Sequence, residues 1–192
     1  MRFLKVFIPV VIVGVLVACA KLPQAEIDAA KAAVAAAAQV ADIVTYAGDT
    51  LKSAQDKLAQ MDTEIAGKNY DKVKRLALEA KTTAQTAAND AAKGKEKAQA
   101  DATALLNSLK EALPATEQKV GAAKKIKGLK LDLKAFEKQL SDAKAVVADA
   151  AKDLSEESYA SALQKASTAQ AQLTDIEQQI TKAEQRASKK AF

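Results

Sequence analysis

The feature that most constrains this chain is a run of small and apolar residues, spaced alternately three and four apart, that persists along most of its length beyond residue 26. One seam passes from Ile27 through Ala30, Val34, Ala37, Ala41, Val44, Leu51, Ala54, Leu58 and Met61 to Ile65. A second runs from Tyr70 and Val73 through Ala77, Ala80, Ala84, Ala87, Ala91, Gly94, Ala98 and Ala102 to Ala112. A third joins Ala122, Ile126, Leu129, Leu133, Phe136, Leu140, Ala143, Val147, Ala150 and Leu154, and a fourth runs from Tyr159 to Ala187. Sustained 3,4 spacing predicts long helices packed along coiled-coil seams.

The interruptions carry helix-ending chemistry. Ala66-Gly67-Lys68-Asn69 offers a glycine to stop one helix and Asn69 as the cap of the next. Leu113-Pro114-Ala115-Thr116-Glu117 reads as a linker, because proline costs an internal hydrogen bond, with Thr116 capping the next helix. Ser155-Glu156-Glu157-Ser158 supplies a third turn. Short connections between long helices imply antiparallel neighbours. The predicted fold class is therefore all-α, an elongated coiled-coil bundle of two hairpins over residues 23–112 and 118–192, joined by the linker 113–117.

The two halves also align. Tyr70 and Tyr159 stand 89 positions apart, and the same shift pairs Ile65 with Leu154, Asn69 with Ser158 and Ala77 with Ala166. Duplication of one helical unit is the expectation, with the tyrosines as core anchors beside each turn.

Composition agrees with thin rods. Of 192 residues 45 are alanine, the aromatic share is 4%, and Gly and Pro number only 6 and 3. Alanine is the best helix former but buries little area, so close approach of helices has to replace large side chains. By this reasoning the alanine-only stretch Ala77–Ala102, containing Gly94, is expected to be the softest part, and Leu129–Leu140 the firmest.

The amino terminus reads as a targeting segment. Arg2 and Lys5 precede an apolar run from Val6 to Ala20, about five residues short of the roughly 20 that span a bilayer. Its end, Leu16-Val17-Ala18-Cys19, resembles the lipobox of bacterial lipoproteins. That resemblance implies a signal peptide over 1–18, a diacylglycerol thioether (palmitate-type lipid) on Cys19, and a short tether at 19–22. Cys19 is the one cysteine in the sequence, so no intrachain disulfide is available. Ala20 after the lipidated residue resembles outer-membrane cargo, which implies a periplasm-facing protein of the cell outer membrane.

Several chemistries are excluded. The sequence has no histidine, and its one cysteine is assigned to the lipid, which removes triads and dyads built on His or free Cys and the usual zinc ligand sets. Acids are scattered among lysines, and no glycine-rich phosphate loop or calcium loop occurs. Ser141-Asp142-Ala143-Lys144 matches the letters S-x-x-K, without the S-D-N and K-T-G elements that its enzyme class requires. No catalytic residue, cofactor or metal site is expected, and the chain is read as not an enzyme.

Charge is uneven in one place. Lys119, Lys124, Lys125, Lys127, Lys130 and Lys134 are opposed within their window only by Asp132. Such a strip can be a solubilising face or can attract lipid head groups, an anionic cell-wall glycan such as peptidoglycan, or an acidic protein. Without arginine or interleaved aromatic residues it does not suggest nucleic acid.

From Leu22-Pro23 through Glu26-Ile27-Asp28-Ala29-Ala30-Lys31, Tyr46-Ala47 and Leu51-Lys52-Ser53-Ala54-Gln55 to Tyr70, the chain resembles an uncharacterised Ala-rich helical domain of bacterial envelope lipoproteins, a domain of unknown function. A looser similarity is to murein lipoprotein, a lipidated coiled coil. Together these resemblances imply a membrane-anchored structural spacer or scaffold. Alternatives are a binding module for lipid or anionic glycan, and an accessory subunit of an envelope transport or assembly complex.

Overall fold

The computed structural model describes residues 21–126 and 131–190, without the side chains of the last two. Among the described residues the fold is all-α, with six helices: α1 (Gln24–Ala38), α2 (Ala41–Tyr46), α3 (Gly48–Ala66), α4 (Tyr70–Ala123), α5 (Leu133–Ser155) and α6 (Tyr159–Lys190). The 54 residues of α4 make a helix about 80 Å long at about 1.5 Å per residue. Every other helix packs on it.

Ion pairs fix the directions. Glu26 pairs with Lys74 and Asp42 with Lys95, so α1 and α2 climb α4 in parallel. Lys31 meets Asp62, and Lys57 meets Glu79, so α3 descends antiparallel to both α1 and α4. In the second half, Lys124–Glu137 and Glu117–Lys144 set α5 antiparallel to α4, while Lys119–Glu177 places α6 parallel to it. The molecule is thus two three-helix bundles strung on one shared helix. Their cores are separate clusters, one drawn from Ile27 to Ala91 and the other from Leu106 to Ile180.

The first seam, whose continuity past Gly48 its spacing leaves open, is divided among α1, α2 and α3. The chain leaves α-helix at Gln39–Val40 and again at Ala47, and the buried register jumps from Ala37 to Ile43, Ala47 and Leu51, leaving Ala41 and Val44 exposed. The run Val40, Ile43, Val44, Thr45 is β-branched and weak in helix, and it is here that the chain breaks before turning back into α3. The alanines Ala77, Ala80, Ala84, Ala87 and Ala91 of α4 are nearly inaccessible because Ile27, Val34, Leu51 and Met61 from α1 and α3 share their cluster. Small residues on the shared helix let two flanking helices bring larger ones close.

The linker expected at 113–117 is also corrected: α4 continues through Pro114 to Ala123. Pro114 and Lys110, whose carbonyl loses its helical donor, both lie on the exposed face, where water can satisfy that oxygen. Thr116 is no cap but, among the described residues, the one fully buried polar residue of the core, and it donates to Glu177 Oε1 at 3.0 Å. The cap of the following helix is Asp132, whose Oδ1 accepts from Ala135 N–H at 3.0 Å.

The 89-residue repeat reappears in backbone hydrogen bonds. After α3, Gly67 N–H donates to Thr63, Lys68 to Ile65 and Asn69 to Glu64; after α5, Glu156 donates to Lys152, Glu157 to Leu154 and Ser158 to Asp153. Both are Schellman closures, which satisfy the last carbonyls of a helix. Asn69 does not cap α4 through its side chain, as its position suggested; its Nδ2 donates back to Glu64 Oε2.

Candidate functional site

Two places gather chemistry: the joint where the bundles meet and the end of the rod farthest from residue 21. The joint is built on Tyr46, the last residue of α2. Its backbone approaches Gly94 so closely that a Cβ there would lie 2.8 Å from the Tyr46 carbonyl oxygen. Helix propensity alone disfavours Gly94 by about 1 kcal/mol relative to alanine, yet only glycine allows this crossing. The Tyr46 hydroxyl accepts from Ala160 N–H at 3.3 Å, supplying a tertiary partner for an otherwise orphaned amide in the first turn of α6. Lys95 Nζ lies 3.1 Å from Asp42 Oδ2, and the hydrogen bond to that carboxylate, with the charge of Asp42 behind it, holds the ammonium above the usual lysine range. Beside the joint, Thr50 donates to Asp90 Oδ2 at 2.9 Å. The joint ties α2, α4 and α6 together.

At the far end the lysine strip is only partly free. Lys119 lies 2.9 Å from Glu177, and Lys124 pairs with Glu137. Glu177 is held below the usual carboxylate range by its hydrogen bond from Lys119, with that of Thr116 adding to it against a burial effect of opposite sign. Lys125 and Lys134 are exposed, with no carboxylate within 4 Å among the described residues; Lys127 and Lys130 lie outside them. The fold adds what sequence spacing did not reveal: α6 runs parallel to α4 and outlasts it, bringing Lys182 and Arg186 to the same end, both exposed. Ile126, expected in the third seam, is instead 41% exposed beside Lys125, and Leu129 lies outside the described residues.

A groove of about 300 Å³ opens between α4 and α5, over Val120, Gly121 and Leu140, walled by the pairs Lys124–Glu137 and Glu117–Lys144. Ser141 and Lys144 both line it. The Lys144 ammonium, however, is engaged by the Glu117 carboxylate and offers no free amine to Ser141.

Cys19 and the segment 1–18 lie outside the described residues. Tyr159 is buried and Tyr70 half-buried at the first positions of α6 and α4, as anchors beside the two turns. Among the described residues no cluster of three or more Cys, His, Asp or Glu could hold a metal ion, and no helix is long and apolar enough to cross a membrane.

Residues 25–103 match the family model described as a domain of unknown function, DUF4398. The matched span takes in α1, α2, α3 and α4 past Gly94, which is the first bundle with its joint; the second bundle lies beyond it. No curated protein and no solved structure matches the chain.

Proposed function

We propose that this protein is a lipoprotein of the bacterial envelope, held in the outer membrane through lipid on Cys19 and facing the periplasm, where it acts without catalysis as a spacer or scaffold. The observation that carries this reading is the course of α4. It starts beside residue 21 and ends beside Lys125, so a chain attached at its amino terminus extends its other pole about 80 Å away at about 1.5 Å per residue. Two acyl chains or more, at about 0.8 kcal/mol per buried methylene, suffice for stable anchoring. The engagement of Lys144 by Glu117 and the absence of histidine support a role without chemistry.

The test is photo-crosslinking in cells from surface positions along the rod, joined to palmitate labelling. Under this reading Cys19→Ser abolishes labelling and membrane retention, and probes at Lys68 and Lys125 capture different envelope components. If both probes captured the same component next to the anchoring membrane, the spacer role would be lost; if Cys19→Ser kept its label, the anchor would be.

A further inference from the structure

We propose that α2 is a strap that sets the angle between the two bundles, and that the shared helix bends within 92–102 when Tyr46 releases α6. This goes beyond the spacer reading and does not depend on what either pole meets.

The bundles are joined almost entirely by α4. Among the described residues, the bond from Ala160 N–H to the Tyr46 hydroxyl is the single hydrogen bond or ion pair that runs from α1, α2 or α3 to α5 or α6. The first core ends on α4 at Ala91, and the second begins at Leu106. Between them Ala98 and Ala102 of α4, with Tyr159 and Ala162 of α6, are buried outside both clusters. Three of these four are alanines, whose methyl groups remove little area from water. Bundles that share so small a contact move relative to each other unless something holds them.

The strap lies where holding matters. It crosses α4 at Gly94, the residue of this stretch with the most backbone freedom, and is pinned there by Asp42 on Lys95. From that footing Tyr46 reaches α6. The bond it makes is 3.3 Å long, at the weak end for N–H to oxygen, and Ala160 lies in the first turn of its helix, where water can take over the amide. Lys95 also feels the charge of Glu157 in the α5–α6 turn, a longer-range tie across the same joint. One weak latch over a neck of small residues gives two states, latched and bent, that differ little in free energy.

The experiment is pulsed electron resonance on the full chain in detergent, carrying Cys19→Ser so that introduced cysteines are the only ones. Spin labels on Gln60→Cys in α3 and Ala145→Cys in α5, both exposed, report the angle between the bundles; Gln60→Cys with Thr82→Cys reports on the first bundle alone. The parent is expected to show one main distance for each pair. In Tyr46→Phe the population away from the main inter-bundle distance rises about fivefold, the factor that one ordinary hydrogen bond sets. Gly94→Ala, whose methyl displaces the strap, raises it as well, and the first-bundle pair keeps its distance in Tyr46→Phe. Thermal unfolding of every variant confirms that it is folded. An inter-bundle distribution unchanged in either variant overturns the proposal. Equal broadening of the first-bundle pair in Tyr46→Phe overturns it too, since Tyr46 would then be a core anchor of that bundle and no latch. Either failure leaves the spacer reading standing, because a rigid rod spans the same distance.

Discussion

Lys68 and Glu157 adopt left-handed backbone angles, φ 57° and 59°, and stand 89 positions apart, each closing a Schellman turn. They are the residues where the duplication is most literal, and in both copies the strained position holds a long charged side chain instead of glycine. Gly67, by contrast, sits one residue early at φ −76°, where any residue fits. A side chain in this region costs about 1–2 kcal/mol, and glycine gives back part of that as unfolded-chain entropy. Lys68→Gly and Glu157→Gly are therefore each expected to stabilise the fold by about 0.5–1 kcal/mol. The turns lie at different levels of the rod, so the effects should add. Urea unfolding of the single and double variants measures this; a loss of stability in either single variant would contradict the assignment of strain.

Gly94→Ala reverses the usual propensity argument. In a free helix the change gains about 1 kcal/mol, but here the new methyl meets the Tyr46 carbonyl oxygen at 2.8 Å and the Tyr46 Cβ at 3.0 Å. The joint has to open, and overpacking of this kind typically costs about 1–3 kcal/mol. Thermal unfolding should show Gly94→Ala less stable than the parent. In Tyr46→Phe, which loses only the bond from Ala160 N–H, the expected cost is about 1 kcal/mol. Gly94→Ala melting above the parent would mean that the crossing is loose enough to admit a methyl group.

Much of the fold is legible in the spacing. Seam positions from Val73 to Ala102 and from Tyr159 to Ile180 are buried or nearly so, because a helix with a continuous partner keeps its period. Legibility fails where the partner changes. At Gln39–Val40 no proline or glycine marks the break, and the signal available was the β-branched run just beyond it. At Pro114 the strongest breaker in the alphabet is overridden, since its ring and the carbonyl it deprives both face water while Leu109 and Thr116 on either side stay buried. The lysine strip could be read from sequence as a surplus, but its pairing with Glu137 and Glu177 and the arrival of Lys182 and Arg186 are long-range facts. Spacing along one helix carries no information about them.

Acid should unfold the protein through a few identifiable carboxylates. Glu64 is held low by its bonds from Asn69 and Lys72, Asp153 by those from Lys165 and Ser161, and Glu177 by those from Lys119 and Thr116. Groups with lowered folded-state values stabilise fully above their unfolded values and lose that contribution as pH falls through the folded ones. The melting temperature is thus expected to be level from neutral to about pH 5 and to fall below about pH 4. Glu177→Gln should flatten part of that acid limb. Lys95 and Lys165, raised by bonds to Asp42 and Asp153, act with the opposite sign and lose their contribution as pH climbs past about 10.4. A midpoint that rose on acidification would contradict these assignments.

Pro114→Ala tests whether α4 is one structural member or two joined pieces. In the continuous helix the substitution restores an N–H four residues beyond the Lys110 carbonyl and removes the clash of the ring with it. Proline is about 3 kcal/mol worse than alanine inside a helix, and the stiffness it confers on the unfolded chain offsets only up to about 1 kcal/mol. A gain of about 2 kcal/mol is therefore expected, read as a higher calorimetric midpoint for the second bundle, whose cluster includes Leu109 and Val120 on either side. Were 113–117 a linker with Thr116 capping a new helix, alanine there would restore no bond, and the midpoint would stay put or fall as the unfolded chain gained freedom. Thr116→Val complements this, since it keeps the shape and deletes the buried hydroxyl that Glu177 accepts from. It should lower stability by about 1 kcal/mol in the continuous arrangement, where the hydroxyl spans two helices.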